Sequence, residues 1–228
     1  MVVMLLQYLR KNNMELSIVS YCKIKNNTVW TNGIETYTCD PSIDFTAFLS
    51  NVYREINLGY PKFFKMDNLC KSGILAAELT IRNNENFEKH QKGNVAIFLS
   101  NRSSSIETDR NYVKTIIDKT QYFPSPSLFV YTLPNIVIGE IAIKHKITGE
   151  NAFFVSETFD FNLMASYVSI ALNNNNTSAI VCGWVNVDGN DNETFVFCLE
   201  KTNFNHERNG LNLPFNIDTI NQIINKTR

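Results

Sequence analysis

The residues best placed for chemistry are Ser156, Glu157 and Thr158, where the apolar run NAFFV gives way to an amphipathic one. A sharp strand-to-helix junction exposes backbone N–H groups at a helix N-terminus, which suits a nucleophile or a developing oxyanion. The same spacing suits a plain cap, with Ser156 or Thr158 accepting from the first helical turn. The 3 histidines do not join this junction. His90 lies in the charged stretch NFEKHQKGN and His206 in a polar tail, so both read as surface residues. His145, between Lys144 and Lys146, reads as a cation favoured at a helix C-terminus. The 5 cysteines form no CxxC pair. Cys22, Cys39, Cys70, Cys182 and Cys198 sit among apolar or strand-like neighbours and read as reduced core residues. No GxGxxG, P-loop or HExxH occurs, Glu35 and Asp40 fall in a loop without a signature, and neither a metal nor a cofactor is expected.

The elements that must position the junction are legible from periodicity. Residues 15–24 alternate as a half-buried strand, and NVAIFLS (94–100) is an apolar run of the kind covered on both faces. Helices are expected over 42–57, from an Asp67 cap to Arg82, and over 107–118. An FPSPS loop (123–127) and an extended apolar segment follow. Pro134 then opens a helix to about Lys146 that Gly149 ends. NAFFVS (151–156) reads as a buried strand, 159–172 as a helix, and 178–187 with 194–200 as a hairpin across DGNDN, and the polar tail after 200 has room for a short helix near 216–225. Strands alternating with helices predict an α/β domain with a mixed, mainly parallel sheet packed with helices. The 228 residues are 44% hydrophobic, enough for a sizeable core. A net charge of −1 offers nothing to neutralise a phosphate backbone, so no nucleic acid partner is expected. No apolar run approaches the roughly 20 residues of a membrane span, and the apolar Met1–Leu9 stretch precedes Arg10 and Lys11, the reverse of a secretory signal. The expected address is the cytoplasm.

Two stretches carry a resemblance: VAIFLSNRSSSIETD (95–109) and PSLFVYTLPNIVIGEIAIKHKITGENAFF (126–154). They resemble the N-terminal half of a β-ketoacyl-acyl-carrier-protein synthase of the thiolase superfamily. In that family an extended segment leads to an Asn-containing helix start, a Gly-Pro turn, a strand, and an elbow carrying the catalytic Cys. Leu133-Pro134-Asn135 and Gly139 match the helix start. Gly149-Glu150-Asn151 matches the turn, with Glu150 where Pro is usual, and AIVCGWVNVDG (179–189) matches the later strand and its Gly-containing loop. The similarity covers about residues 15–200 and is nearest to short ketosynthase-like proteins of aryl polyene and flexirubin-type clusters. It implies a thiolase-like half over 15–200, an extension or mis-assigned start over 1–14, and a polar tail over 201–228.

The departures shape the implied function. Counted from Gly149, the nucleophile position falls at or next to Thr158, near Ser156 and Glu157, and no cysteine lies there. A threonine without a base is a poor acceptor for an acyl group, and Glu157 places a carboxylate where a malonyl carboxylate would bind. The resemblance therefore implies a non-catalytic, chain-length-factor-like subunit. Such a subunit pairs with a full-length β-ketoacyl-ACP synthase as a heterodimer and shapes its acyl tunnel, with acyl carrier protein as a further partner. Leu128, Phe129, Tyr131, Thr132 and Asn135 are the tunnel or interface residues this implies. A condensing enzyme of reduced machinery and a carrier-protein docking or scaffold module are the alternatives. A half-size thiolase domain is also expected to leave open the sheet face that a second half would cover.

Overall fold

The computed structural model describes residues 14–120, 122–173, 176–203 and 210–225, so the readings for 1–13 and His206 lie outside the described residues. β1 (Met14–Lys25) leads through an Asn26-Asn27 turn into β2 (Thr28–Thr31), and Asn32-Gly33 turns that into β3 (Ile34–Thr38). All four turn residues have positive φ, which Asn and Gly tolerate and most residues do not. Sequence periodicity gives no separate sign of this hairpin. Glu35, expected in a loop, lies on β3.

Helix α1 (Phe45–Glu55) begins where Asp44 accepts from the N–H groups of Thr46 and Ala47, and α2 (Asn68–Arg82) where Asp67 accepts from Cys70. The wholly buried β4 (Val95–Asn101) follows, then α3 (Ile106–Lys114). The segment expected to be extended instead contains a short helix, α4 (Pro126–Val130). Its Ser125 hydroxyl accepts from Leu128 N–H and Pro126 stands in the first turn, a start signal that the surrounding prolines mask. Helix α5 (Ile136–His145) starts just beyond Asn135 and ends at Lys146, which takes the left-handed conformation usual for a C-cap. Strand β5 (Asn151–Val155), helix α6 (Phe161–Asn173), and the hairpin β6 (Ala179–Asp188) and β7 (Asp191–Asn203) match the reading, save that β5 is half-exposed rather than buried. The two-residue β8 (Leu213–Pro214) and α7 (Ile217–Asn225) complete the described chain.

The sheet runs β3-β2-β1-β7-β6-β4-β5, with β8 paired to β1. β4 is parallel to both β5 and β6, and the remaining pairings are antiparallel. Followed across the sheet, β1, β3, β4, β5 and β6 run one way and β2, β7 and β8 the other. The sheet is thus mixed, with five of its eight strands sharing one direction. Most of its hydrogen-bonded neighbours are nonetheless antiparallel, because the reversed β2 and β7 separate strands that share a direction.

One face carries α1, α2 and α5 over a core that includes Phe48, Leu49, Ile74, Leu75, Ile97, Val137 and Ile141. Helix α2 is buried on nearly every side, with Gly73 so close to α5 and β6 that a Cβ there would meet Val137 Cγ2 at 2.3 Å. The other face, expected to lie open, is covered. Met164, Val168 and Leu172 of α6 and Ile220 and Ile223 of α7 pack on Ile18, Phe98, Trp184, Phe195 and Phe197. The cover comes from the chain's own C-terminal segment, whose amphipathic helix has no other place to bury its isoleucines. Lys23, itself buried, donates to the Ile224 carbonyl at the exposed end of α7, and Asn216 accepts from Thr219 at its start.

Gly183 tests the sheet's tight centre. A Cβ there would sit 2.2 Å from the Phe195 carbonyl oxygen, which is backbone and cannot rotate away. Gly183→Ala is expected to cost about 3 kcal/mol and lower Tm by roughly 9 °C. Gly139→Ala, in α5 with nothing within 4 Å of the added methyl, is expected to add about 1 kcal/mol. Thermal unfolding of the two variants checks both signs.

Candidate functional site

The carboxyl ends of β4, β5 and β6 meet at one edge of the molecule, the place where open α/β sheets bind ligands. Here the Ser156 N–H donates to the Asn101 carbonyl at 2.9 Å, tying the end of β5 to that of β4. The Ser156 hydroxyl turns back to the Thr158 carbonyl at 2.8 Å. Neither residue caps α6. Asp160 does, its Oδ1 accepting from Leu163 N–H at 3.0 Å, a cap that sequence reading missed because the Ser-Glu-Thr run precedes it. Ser156, Glu157 and Thr158 are therefore left as a loop outside the helix.

Thr158 and Glu157 line a cleft of about 320 Å3 with Arg102, Phe159, Trp184, Asn186, Asp191, Glu193, Phe195, Asn221 and Ile224. The floor is aromatic, with the Phe159 and Phe195 rings 5.1 Å apart, and the rim is charged. Arg102 pairs with Asp191, and Glu193 pairs with Lys25 at 2.7 Å. Asn186 Oδ1 accepts from the N–H groups of Arg102 and Ser103 at 3.2 and 3.0 Å, bracing the β4–α3 loop. The cleft can hold an amphipathic group. No cysteine or histidine of the described chain lines it.

The thiols lie elsewhere. Cys22, Cys70, Cys182 and Cys198 are buried, and burial pushes the Cys22, Cys70 and Cys182 thiols up, away from the reactive thiolate. Among the described residues no three His, Cys, Asp or Glu side chains converge as a metal site.

His90 is not the solvated residue its charged neighbours suggest. Its Nδ1 lies 2.8 Å from Ser178 Oγ and its Nε2 3.0 Å from Glu200 Oε1, which also accepts from Asn84 at 2.7 Å. This serine–histidine–glutamate array resembles a hydrolytic relay, but its carboxylate is the residue that binds the loop after α2 to β7. It acts as a tether.

The residues expected at an interface form a second group, apart from the cleft. Between α3 and α5 the chain makes an arm. It is pinned at its base by Phe123 N–H to the Thr115 carbonyl at 3.1 Å and at its exit by Ser105 Oγ to the Thr132 carbonyl at 2.6 Å. Phe129 is 55% exposed, its ring 5.6 Å from that of Tyr112, and Leu128 is half-buried. Thr132 is spent on the Phe129 carbonyl, and Asn135 precedes α5 without making a cap hydrogen bond. Tyr131 alone turns inward, its hydroxyl 3.4 Å from Glu140 Oε1, and burial and the Glu140 charge push its pKa up. The arm also exposes Ile117, Tyr122, Phe123, Val130 and Leu133, none of them among the tunnel or interface residues the resemblance implies. Tyr131 belongs to the core on the α2 face, whereas Phe159 packs on the opposite face. No arm residue lines the cleft. The arm and the junction therefore lie on opposite sides of the sheet.

Helix α5, which follows the arm, is held by two buried carboxylates. Glu140 takes Lys62 at 2.7 Å and Tyr60 at 3.2 Å as well as Tyr131. Glu78 of α2 faces Arg82, Lys144 and His145 at 2.5, 3.2 and 3.2 Å. Burial pushes the Glu78 pKa up, but His145, Arg82 and Lys144 together outweigh it and hold it at about 2, below its ordinary 4.5.

A search of family models finds no match, nor does a search of curated proteins. Solved structures do match. A chain of the ishigamide ketosynthase/chain length factor aligns at TM-score 0.60 and 13% identity, over 86% of this chain and 64% of that one. Ketosynthase ApeO in complex with its chain length factor ApeC, from Xenorhabdus doucetiae, aligns at 0.53 and 13%, over 83% and 80%. The AntDE:AntF complex, a type II polyketide synthase acyl-carrier protein with its ketosynthase bound to the hexaketide, aligns at 0.53 and 14%, over 82% and 62%. The chain thus has the ketosynthase and chain-length-factor fold that its motifs resemble, and spans less than two thirds of the first of these chains. Among the described residues no helix is long and apolar enough to cross a membrane.

A folded pKa below the unfolded one adds stability above the unfolded value and loses it as pH falls through the folded value. Glu78 therefore stabilises the fold fully above about pH 4.5 and loses that contribution down to about pH 2. Glu78→Gln is expected to cost about 3 kcal/mol at pH 7, with the gap to the parent protein closing over that window. Urea unfolding at stepped pH measures it.

Proposed function

We propose that this chain is a non-catalytic, chain-length-factor-like subunit that pairs with an active β-ketoacyl-ACP synthase and shapes the tunnel its acyl chain grows in. One observation carries the reading. The apolar residues of the arm face solvent on the side of the sheet away from the chain's own cleft, so whatever pocket they fill belongs to another molecule. Exposed apolar groups of this density mark protein–protein contact. Strand β5 adds to it. It is the last strand of the sheet on this side, its Val155 is 57% exposed, and Ile143, Tyr167 and Ile170 of the helices before and after it are exposed too. Asn101 of β4 pairs with Val155, and Ser105, four residues on, holds the Thr132 carbonyl, so the exit of the arm and the end of β5 share one end of the sheet.

The structural neighbours include ketosynthases solved with a chain length factor, and one with an acyl-carrier protein. That supports a synthase as the partner here and a carrier protein as a further one. On this reading residues 15–200 are the ketosynthase-like domain, Leu128, Phe129, Thr132 and Asn135 form the surface toward the synthase with the buried Tyr131 supporting it from within, and the assembly works in the cytoplasm on a polyene or fatty-acid-type chain. Thr158 marks the position a catalytic cysteine would take, and the acyl group is carried by the partner.

Co-expression with a full-length synthase encoded beside this chain is expected to yield a one-to-one complex. Within it, Phe129→Ala and Phe129→Trp are expected to shift the main product length in opposite directions, by about one two-carbon unit each way, as mass spectrometry of the products reads. An unchanged product profile in both variants, or an acyl adduct at Thr158 of the isolated chain, would sink the reading.

A further inference from the structure

Helix α4 has five residues, and Phe129 and Val130 face solvent, so burial does little to fix it. Polar contacts hold its C-terminal end instead. The Ser105 hydroxyl donates to the Thr132 carbonyl, and Glu140 meets the hydroxyl of Tyr131, which among the described arm residues is the one with its side chain in the core. Glu140 is 3% exposed and sits at the meeting point of three elements: its own helix α5, the Tyr60–Lys62 turn, and the end of α4. A buried carboxylate with donors from three directions is rigid, since moving any donor leaves charge unsatisfied.

We propose that Glu140 is a positioning residue, which through Tyr131 fixes the placement of α4 and so how far Phe129 reaches from the surface. The consequence for product length rests on the partner reading above, whereas the hold on α4 does not. Glu78 supplies the comparison. It is as deeply buried and grips the far end of the same α5, through Lys144 and His145, but touches nothing in the arm.

The test is hydrogen exchange of the backbone amides of residues 126–132 in the full chain, followed by product analysis in the complex. Glu140→Gln keeps the side chain's shape and is expected to speed arm exchange by about tenfold, the worth of one lost charge-assisted hydrogen bond. Tyr131→Phe keeps the buried ring and is expected to speed it by about threefold, which serves if Glu140→Gln fails to fold. Glu78→Gln, although destabilising, is expected to leave arm exchange within about twofold of the parent. Unchanged arm exchange in Glu140→Gln, or an equal rise in Glu78→Gln, overturns the proposal. In the complex, Glu140→Gln is expected to broaden the distribution of product lengths. If arm exchange rises while neither Glu140→Gln nor Phe129→Ala alters the products, the partner reading fails and the hold of Glu140 on α4 stands.

Discussion

Helix α5 is clamped at two points by buried negative charge, and much of the molecule's arrangement follows from that clamp. Glu78 reaches its C-terminal residues from α2, and Glu140 projects from its middle toward α4 and the Tyr60–Lys62 turn. Each carboxylate is deep enough to need compensation: Glu140 has Lys62 and the hydroxyls of Tyr60 and Tyr131, and Glu78 has Arg82, Lys144 and His145. The result is that α2 is tied to α5 through Glu78, and α5 to the arm and the turn before α2 through Glu140. Gly73 allows this closeness, since only a missing side chain lets α2 lie against Val137 of α5 and Val185 of β6 together.

Much of the framework could be read from sequence because it rests on local signals. Asp67 capping α2, the unbroken apolar run of β4, and the helical stripes of α1 and α6 depend on residues a few positions apart. What escaped reading depends on distant partners. His90 is drawn inward by Glu200, 110 residues along the chain, and nothing in NFEKHQKGN announces it. The closing of the second sheet face by α7 depends on Lys23 and the isoleucine stripe of a helix in a tail that reads as polar. Helix α4 was hidden for a different reason: two prolines and two serines suggest a loop, although Ser125 followed by Pro126 is also a helix start. Of the candidate site, the junction and the arm were legible as segments. Their placement on opposite faces was not, because it depends on sheet topology.

That placement separates two roles that one segment of sequence seems to combine. The junction looks inward onto a cleft floored by aromatic rings, and the arm looks outward with aromatic rings of its own. The surface that offers side chains and the cavity lined by rings thus lie on one chain but out of reach of each other.

The tether at His90 has its own internal logic. Its two ring nitrogens are held by residues at the open end of the β6–β7 hairpin, Ser178 just before β6 and Glu200 near the end of β7, while Ser178 also reaches the Asn94 carbonyl at 3.4 Å. One imidazole thereby fastens the loop after α2 across both strands, so the hairpin is closed at its open end by a side chain rather than by backbone.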